Sequence, residues 1–368
     1  MTFSPTLSST SSTPTLPTGL WDVFCRVIDN HGDLGVCWRL CADLAQRGKR
    51  VRLWVDDASA LRWMAPQGAH NVDVFDWQDS LHMPQLGEVV IEAFGCELPE
   101  SVQTRIAQHP PVVWINLEYL SAESYVPRAH GLPSPVMLGP AKGHTKWFFY
   151  PGFTPDTGGL LRETHLLQQQ RTWDAQAWHK RMALPADPQA LWVSMFCYEP
   201  AGMVDWLQSL ALQPRSVHLL VTAGRAQAAM TQALRTLGWQ AQLPQGLHIH
   251  TLPYLSQVEF DHLLWRCDLN FVRGEDSLVR ALWAHRPCIW HIYPQDDHAH
   301  HAKLDAYLDW LQAPQSLRSF HHAWNDIAPA QTWDMPLQEW ASCFASARAR
   351  LLEQDSLSDQ LLVFCASK

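Results

Sequence analysis

Strand-like runs that end in a glycine-bearing loop and pass into a helical pattern recur along this chain, and that alternation restricts it to parallel α/β units. The first unit is the clearest. Residues 21–29 (WDVFCRVID) read as a strand and NHGDLG as the loop. Residues 36–47 then read as a helix, with Cys37, Leu40, Cys41 and Leu44 on one face and Gly48 as the stop. Residues 51–56 (VRLWVD) return as a second strand. Further strands are expected at 89–94 (VVIEAF) and 112–120 (VVWINLEYL), with the helix PESVQTRIAQ between them.

From about 136 to 171 the pattern turns irregular and rich in Gly and Pro, which marks a domain junction. A second series opens at 191–199 (LWVSMFCYE). It continues with a helix from about 202, a strand at 216–224 and a helix at 225–237. LHIHTLPYL, the helix SQVEFDHLLWRC, a strand at 268–274, a helix opening at EDSLVRALWA and a strand at 287–293 follow. Residues 337–362 read as helix again. At roughly 150 residues per domain, 368 residues suit two domains, with no sequence repeat between them. They are set at 19–165 and 185–335, with 336–368 a helical segment that is a candidate to cross back to the first. Tandem open α/β domains place their loops at the carboxyl ends of the strands, facing a shared cleft. That is the GT-B architecture of many nucleotide-sugar transferases: two Rossmann-like domains about a central cleft.

Several classes are excluded early. A net charge of -9 argues against a basic nucleic-acid footprint and favours a basic protein partner. No apolar run approaches the ~20 residues of a membrane span. Residues 1–18 (MTFSPTLSSTSSTPTLPT) lack the basic start and apolar stretch of a secretory signal and read as a disordered tail. Nine cysteines without a CxxC point to a reducing cytoplasm rather than a disulfide framework. The 19 tryptophans are mostly assigned to packing.

The loop Asp29-Asn30-His31-Gly32-Asp33-Leu34-Gly35 sets two carboxylates at the cleft mouth. It lacks the GxGxxG spacing, and an aspartate in the turn repels a pyrophosphate, so NAD is disfavoured. A carboxylate there can act as a general base or hold a cationic acceptor. The plainer alternative is that Asp33 caps the helix, Asp29 ends a strand and His31 is a bystander.

Phe271-Val272-Arg273-Gly274-Glu275-Asp276-Ser277 repeats the grammar in the second domain. Amides at a helix start bind anions. Arg273 adds charge-assisted hydrogen bonds to a diphosphate and Ser277 a hydroxyl, while Glu275 and Asp276 suit sugar or ribose hydroxyls. Phe196 and Tyr198, at a strand end, are placed to stack on a base or meet a phosphate; Gln257 is placed to read a pyrimidine edge. His298, His300 and His301 in YPQDDHAHHAKL match no zinc signature and are assigned no metal; Gln295 and Asp296 beside them are candidates to reach a donor. No GxSxG or Walker A motif occurs.

WDVFCRVIDNHGDLGVCWRLCADLA followed by VRLWVDD resembles the start of the bacterial protein-arginine rhamnosyltransferases that modify translation elongation factor P, the EarP family. FCYE, YLSQVEFDHLLWRCDLNFVRGEDSLVRALWA and PCIWHIYPQDDHAHHAKL resemble the same family in the same order, over nearly the whole chain from about Leu20. The resemblance implies dTDP-β-L-rhamnose as donor, no metal or other cofactor, elongation factor P as protein acceptor, and inversion to an α-rhamnosyl arginine. It implies Asp33 as general base, Asp29 as a second essential aspartate and Glu275 as the third catalytic carboxylate. Donor contacts map to Tyr198, Gln257, Arg273, Gly274, Glu275, Asp276 and Ser277, with Phe196 and Phe260 stacking on thymine. Asn30, His31, Gly32 and Gln295 are counted with the donor-binding set. Two departures stand out: the Ser/Thr/Pro tail, and His31 where an aromatic is common.

The chemistry expected is demanding, because a guanidinium with pKa above ~12 has a delocalised, poorly nucleophilic lone pair. Two rivals remain open at this point. One is another nucleotide-sugar transferase of the same architecture; the other is a non-catalytic scaffold for a translation factor, which would bind no dTDP.

Overall fold

The computed structural model describes residues 19–28, 31–83, 85–109 and 111–368. The tail 1–18, Asp29 and Asn30 therefore lie outside the described residues. Strands β1 (Leu20–Cys25), β2 (Arg50–Val55), β3 (Val72–Asp76), β4 (Val89–Ala93), β5 (Val113–Leu117), β6 (Pro133–Pro135) and β7 (Thr145–Phe149) form one sheet. Its order is β3-β2-β1-β4-β5-β7-β6, parallel throughout except for β6 against β7. Strands β8 (Leu191–Met195), β9 (Val217–Val221), β10 (Leu247–Thr251), β11 (Leu269–Arg273) and β12 (Cys288–His291) form an all-parallel second sheet in the order β10-β9-β8-β11-β12.

β4, β8 and β9 are buried from end to end, which a parallel sheet covered on both faces requires of its strands. β6 carries two prolines and sits at the sheet edge, where a missing N–H costs no ladder bond. In both sheets the winding reverses beside the first strand: β1 lies between β2 and β4, and β8 between β9 and β11. A crevice opens at the carboxyl end of such a switch point.

The structure shifts several expected boundaries. The helix after β1 spans Gly32–Gln46, one turn earlier than the apolar pattern suggests, because the Gly35 amide already bonds His31 O at 2.9 Å. The strand expected at 112–120 ends at Leu117. Beyond it the Leu120 amide turns to a carboxylate of the second domain, Glu275, at 2.7 Å. The irregular stretch 136–171 contains β7, a five-residue strand too short to stand out among Gly and Pro.

The helix expected over 337–362 is two helices, Leu337–Leu352 and Leu357–Ala366. Ser356 caps the second, its Oγ accepting from the Asp359 amide at 3.2 Å. Trp340, Phe344, Ala347 and Leu351 join the second domain's core. Leu357, Leu361, Leu362 and Cys365 instead pack with Leu34, Cys37, Leu40 and Cys41 in the first. The helix Leu357–Ala366 therefore belongs to the first domain's core.

Trp178, Trp192, Trp206, Trp283, Trp324 and Trp340 are among the largest fully buried side chains, so tryptophan serves packing as expected. All nine cysteines are unpaired, and eight are buried. Among the described residues no helix is long and apolar enough to cross a membrane.

Candidate active site

The two switch points face each other across one cavity of about 310 Å³. His31, Gly32, Gly35 and Arg39 line it from the first domain, with Trp63 and Met64. The second domain supplies Phe196 and Tyr198 after β8, Thr222 to Arg225 after β9, Tyr254 and Gln257, Phe260, and Arg273 to Ser277 after β11. The loop that carries Asp33 and the loop that begins at Arg273 thus share a single crevice.

On the first-domain side, Asp33 lies in the first turn of Gly32–Gln46, 4% exposed; its neighbours His31, Gly32 and Gly35 line the cavity, but Asp33 itself is not among the lining residues. Its Oδ2 accepts from the Ile28 amide at 3.0 Å, which braces the loop between β1 and the helix. Residue His31 occupies the N-cap position with no side-chain capping bond, so this helix start is not closed by a conventional cap. The His31 ring stands 5.7 Å from Trp63, on the cavity wall.

On the second-domain side, β11 ends at Arg273 and the helix Gly274–Ala284 starts at once. Gly274 has φ 65°, a left-handed conformation that a side chain would strain. Ser277 Oγ accepts from the Arg273 amide at 3.1 Å and also donates to Arg273 O. Its hydroxyl closes the turn; what Ser277 and its neighbours present at the helix start is amide N–H.

Arg273 stacks its guanidinium 4.7 Å from the centres of both Phe196 and Tyr198. Arg225 lies 4.6 Å from the Tyr198 ring and bonds Glu199 at 2.9 Å. Two guanidiniums therefore lie against one tyrosine just after β8, and cation–π contacts of this kind help fix both ring and charge. Behind Tyr198 stands His291, 5.2 Å away, whose pKa burial pushes down to about 3, so it adds no charge. The arrangement suits a diphosphate laid across Tyr198, with Phe260 meeting Phe196 edge-on at 5.2 Å beside it.

The two loop acids do different work. Glu275 lines the cavity while its Oε2 accepts from Leu120 N at 2.7 Å and its Oε1 pairs with Lys303 Nζ at 2.6 Å. Asp276 lines the cavity too, with the Arg39 Nε 3.2 Å from its carboxylate. Gln257 donates from Nε2 to Gly35 O at 2.9 Å, so it bridges the domains at the cavity floor. Arg225, Arg39 and Lys303 were not singled out from sequence. Arg225 had a signal: TAGR repeats the strand, glycine, helix-start grammar, and Gly224 has φ 90°. Arg39 and Lys303 sit inside helices, where nothing local distinguishes them from solvated charges.

Gln295 is not among the cavity-lining residues; its amide donates to His300 Nδ1 at 3.0 Å. The three imidazoles of His298, His300 and His301 converge, with ligand nitrogens within 4.8 Å of one another. Accepting at Nδ1 leaves the neutral His300 with its proton on Nε2, which takes that nitrogen out of the ligand set.

The sequence profile described as "Elongation-Factor P (EF-P) rhamnosyltransferase EarP" matches residues 21–366. The protein-arginine rhamnosyltransferase of Pseudomonas putida is 42% identical, over 94% of this chain and 98% of that one. Its counterpart in Neisseria meningitidis serogroup B is 36% identical over 78% and 77%. Among solved structures, one reported as the structural basis for EarP-mediated arginine glycosylation of translation elongation factor EF-P superposes with a TM-score of 0.65. It is 29% identical, over 95% of this chain and 99% of that one. The spinosyn rhamnosyltransferase SpnG, at 13% identity and a TM-score of 0.53 over 93% and 98%, shares the fold.

Proposed function

Because this chain belongs to the EarP family of elongation-factor-P rhamnosyltransferases, we propose that it moves L-rhamnose from dTDP-β-L-rhamnose to an arginine guanidinium of elongation factor P. Inversion at the anomeric carbon and independence from metal ions are part of this reading. The observation that carries it is the single cavity lined on one wall by His31, Gly32 and Gly35, the turn that bears the buried Asp33, and on the other by Arg225 and Arg273 beside Tyr198.

In an inverting displacement the nucleophile enters opposite the leaving group, and the two walls divide those tasks. A guanidinium nitrogen attacks the anomeric carbon from the first-domain side while the bond to the diphosphate oxygen breaks toward the second. Asp33 is the base: the carboxylate orients the guanidinium by paired hydrogen bonds and takes its proton as the carbon–nitrogen bond forms. Asp29, four residues earlier in the sequence, is assigned to orienting the acceptor or supporting the loop. The departing dTDP carries growing negative charge, which Arg273, Arg225 and the amides at Gly274–Ser277 stabilise. Thymine falls to Phe196, Phe260 and Gln257, and donor hydroxyls to Glu275 and Asp276.

The unpaired cysteines support a reducing cytoplasm as the compartment. The test is incubation with elongation factor P and dTDP-rhamnose followed by peptide mass spectrometry. One deoxyhexose increment on a single arginine, absent with the donor omitted, is the expected result. A modified residue other than arginine overturns the acceptor assignment.

A further inference from the structure

Arg39 is buried in the middle of the helix Gly32–Gln46, yet its side-chain bonds leave that helix altogether. Nε stands 3.2 Å from the Asp276 carboxylate, and Nη1 and Nη2 reach the two oxygens of Asp261 at 3.3 Å each. Nη2 also donates to Gln257 O and Nη1 to Glu163, both at 3.3 Å. Arg280 closes the other side: its Nε and Nη2 grip Asp261 at 2.8 and 2.7 Å, and its Nη1 bonds Glu163. Two guanidiniums thus face three carboxylates, and of the five side chains Arg39 and Asp276 line the cavity.

The charges within this group are unevenly served. Burial opposes ionisation of Glu163, but Arg280 and Arg39 draw its carboxyl down to about 2. Asp276 is bonded by Arg39 and feels Arg280 through space, and burial still leaves its carboxyl above the ordinary range. It faces Arg39 from the first domain, Asp261 from the helix Gln257–Arg266, Glu163 from the connecting segment and Arg280 from its own helix. Glu275, already paired with Lys303, precedes it. Take Arg39 away, and three acids share Arg280 alone. Asp276 is then the carboxyl that picks up a proton, and a protonated carboxyl loses acceptor capacity for a hydroxyl.

We propose that Arg39 is a positioning residue for the donor: it holds the Asp276 carboxylate ionised at the cavity wall, so a first-domain side chain sets how tightly the second-domain loop binds nucleotide-sugar hydroxyls. This rests on reading the cavity as a nucleotide-sugar site. A purely structural clamp between the domains would cost stability and turnover, but would not change how donor affinity responds to pH.

The experiment is calorimetric titration of the full chain with dTDP and dTDP-rhamnose, from neutral to mildly acidic pH, for wild type, Arg39→Lys, Arg39→Gln and Asp276→Asn. Thermal melts confirm folding. Arg39→Gln is expected to weaken donor binding about tenfold or more, as loss of a charged hydrogen-bond partner does, with the deficit deepening as pH falls. Asp276→Asn should weaken binding without that pH dependence, and a double variant carrying both Arg39→Gln and Asp276→Asn should be no weaker than Asp276→Asn alone. Should Arg39→Gln fail to fold, Arg39→Lys carries the test through a displaced pH midpoint. Wild-type affinity in the Arg39 variants, a deficit equal at every pH, or losses that multiply in the double variant overturns the proposal. A wild-type protein that binds neither nucleotide sinks the donor reading itself, and this inference with it.

Discussion

Glu275, on the second-domain loop, accepts a hydrogen bond at 2.7 Å from the backbone amide of Leu120 in the first domain. A residue counted with the donor site is therefore also the point where that loop is tied across the cleft. Glu275→Gln keeps an acceptor for Leu120 but loses the charge that pairs with Lys303. Turnover is expected to fall by about ten- to a hundredfold, as loss of a charge-assisted bond does, and Glu275→Ala should lose more. Steady-state kcat on both variants is the readout; unchanged kcat in Glu275→Ala would remove the residue from the reaction.

Asp33→Asn preserves the shape of the loop and its bond from Ile28 while removing the proton acceptor. The dTDP affinity should stay within about twofold, and transfer should drop by roughly 10²–10⁴, the range for general-base loss. Near-normal turnover in this variant takes the base role from Asp33.

Arg273→Lys retains a cation but cannot reproduce a planar group lying on two rings at 4.7 Å. The KM for the donor should rise by about tenfold or more, with a smaller change in the KM for the acceptor protein. Equal changes in both would point to a general loosening of the domain.

In the proposed reaction the leaving diphosphate is assigned to protein cations, so added EDTA should leave the initial rate unchanged. A rate restored only by Mg²⁺ or another divalent ion would contradict a clamp built from Arg273 and Arg225.

Acid stability draws in part on a histidine outside the cavity lining. His321 is fully buried and its pKa is pushed down to about 4 by burial; Nε2 accepts from Trp290 N at 3.1 Å, and Nδ1 lies 3.0 Å from Leu317 O. The folded state holds this ring neutral, while the unfolded chain takes up a proton below about 6.5. Its contribution is therefore complete above that pH and lost as pH falls toward about 4, a difference on the order of 3 kcal/mol. Melting temperature measured over that interval should fall in wild type, and the fall should flatten in His321→Gln.

The legible part of this molecule was what repeats locally. Strand, glycine loop and helix start are written in consecutive residues, so the turn at Arg273–Ser277 and the loop around Asp33 could be found one at a time. Partners distant in sequence could not. Asp22, within the run WDVFC, is fully buried because Arg52, Trp54 and the Gly87 amide all meet its carboxylate. Glu92 in VVIEAF is likewise answered by Trp114 and Lys146. Arg39 shows the same limit at the site: its spacing in the helix is ordinary, and its meaning lies in Asp261 and Asp276, more than two hundred residues away. Asp29 and Asn30 fall outside the described residues, so their part of the loop is carried by the resemblance alone.

The last helix, Leu357–Ala366, seats Leu361 and Cys365 against the helix that follows the first strand. Closing the first domain's interior therefore requires contacts that span the entire second domain in sequence. Deleting Leu357–Ala366 would accordingly strip packing from the first domain and leave intact the core of the second, to which the helix is nearer in sequence.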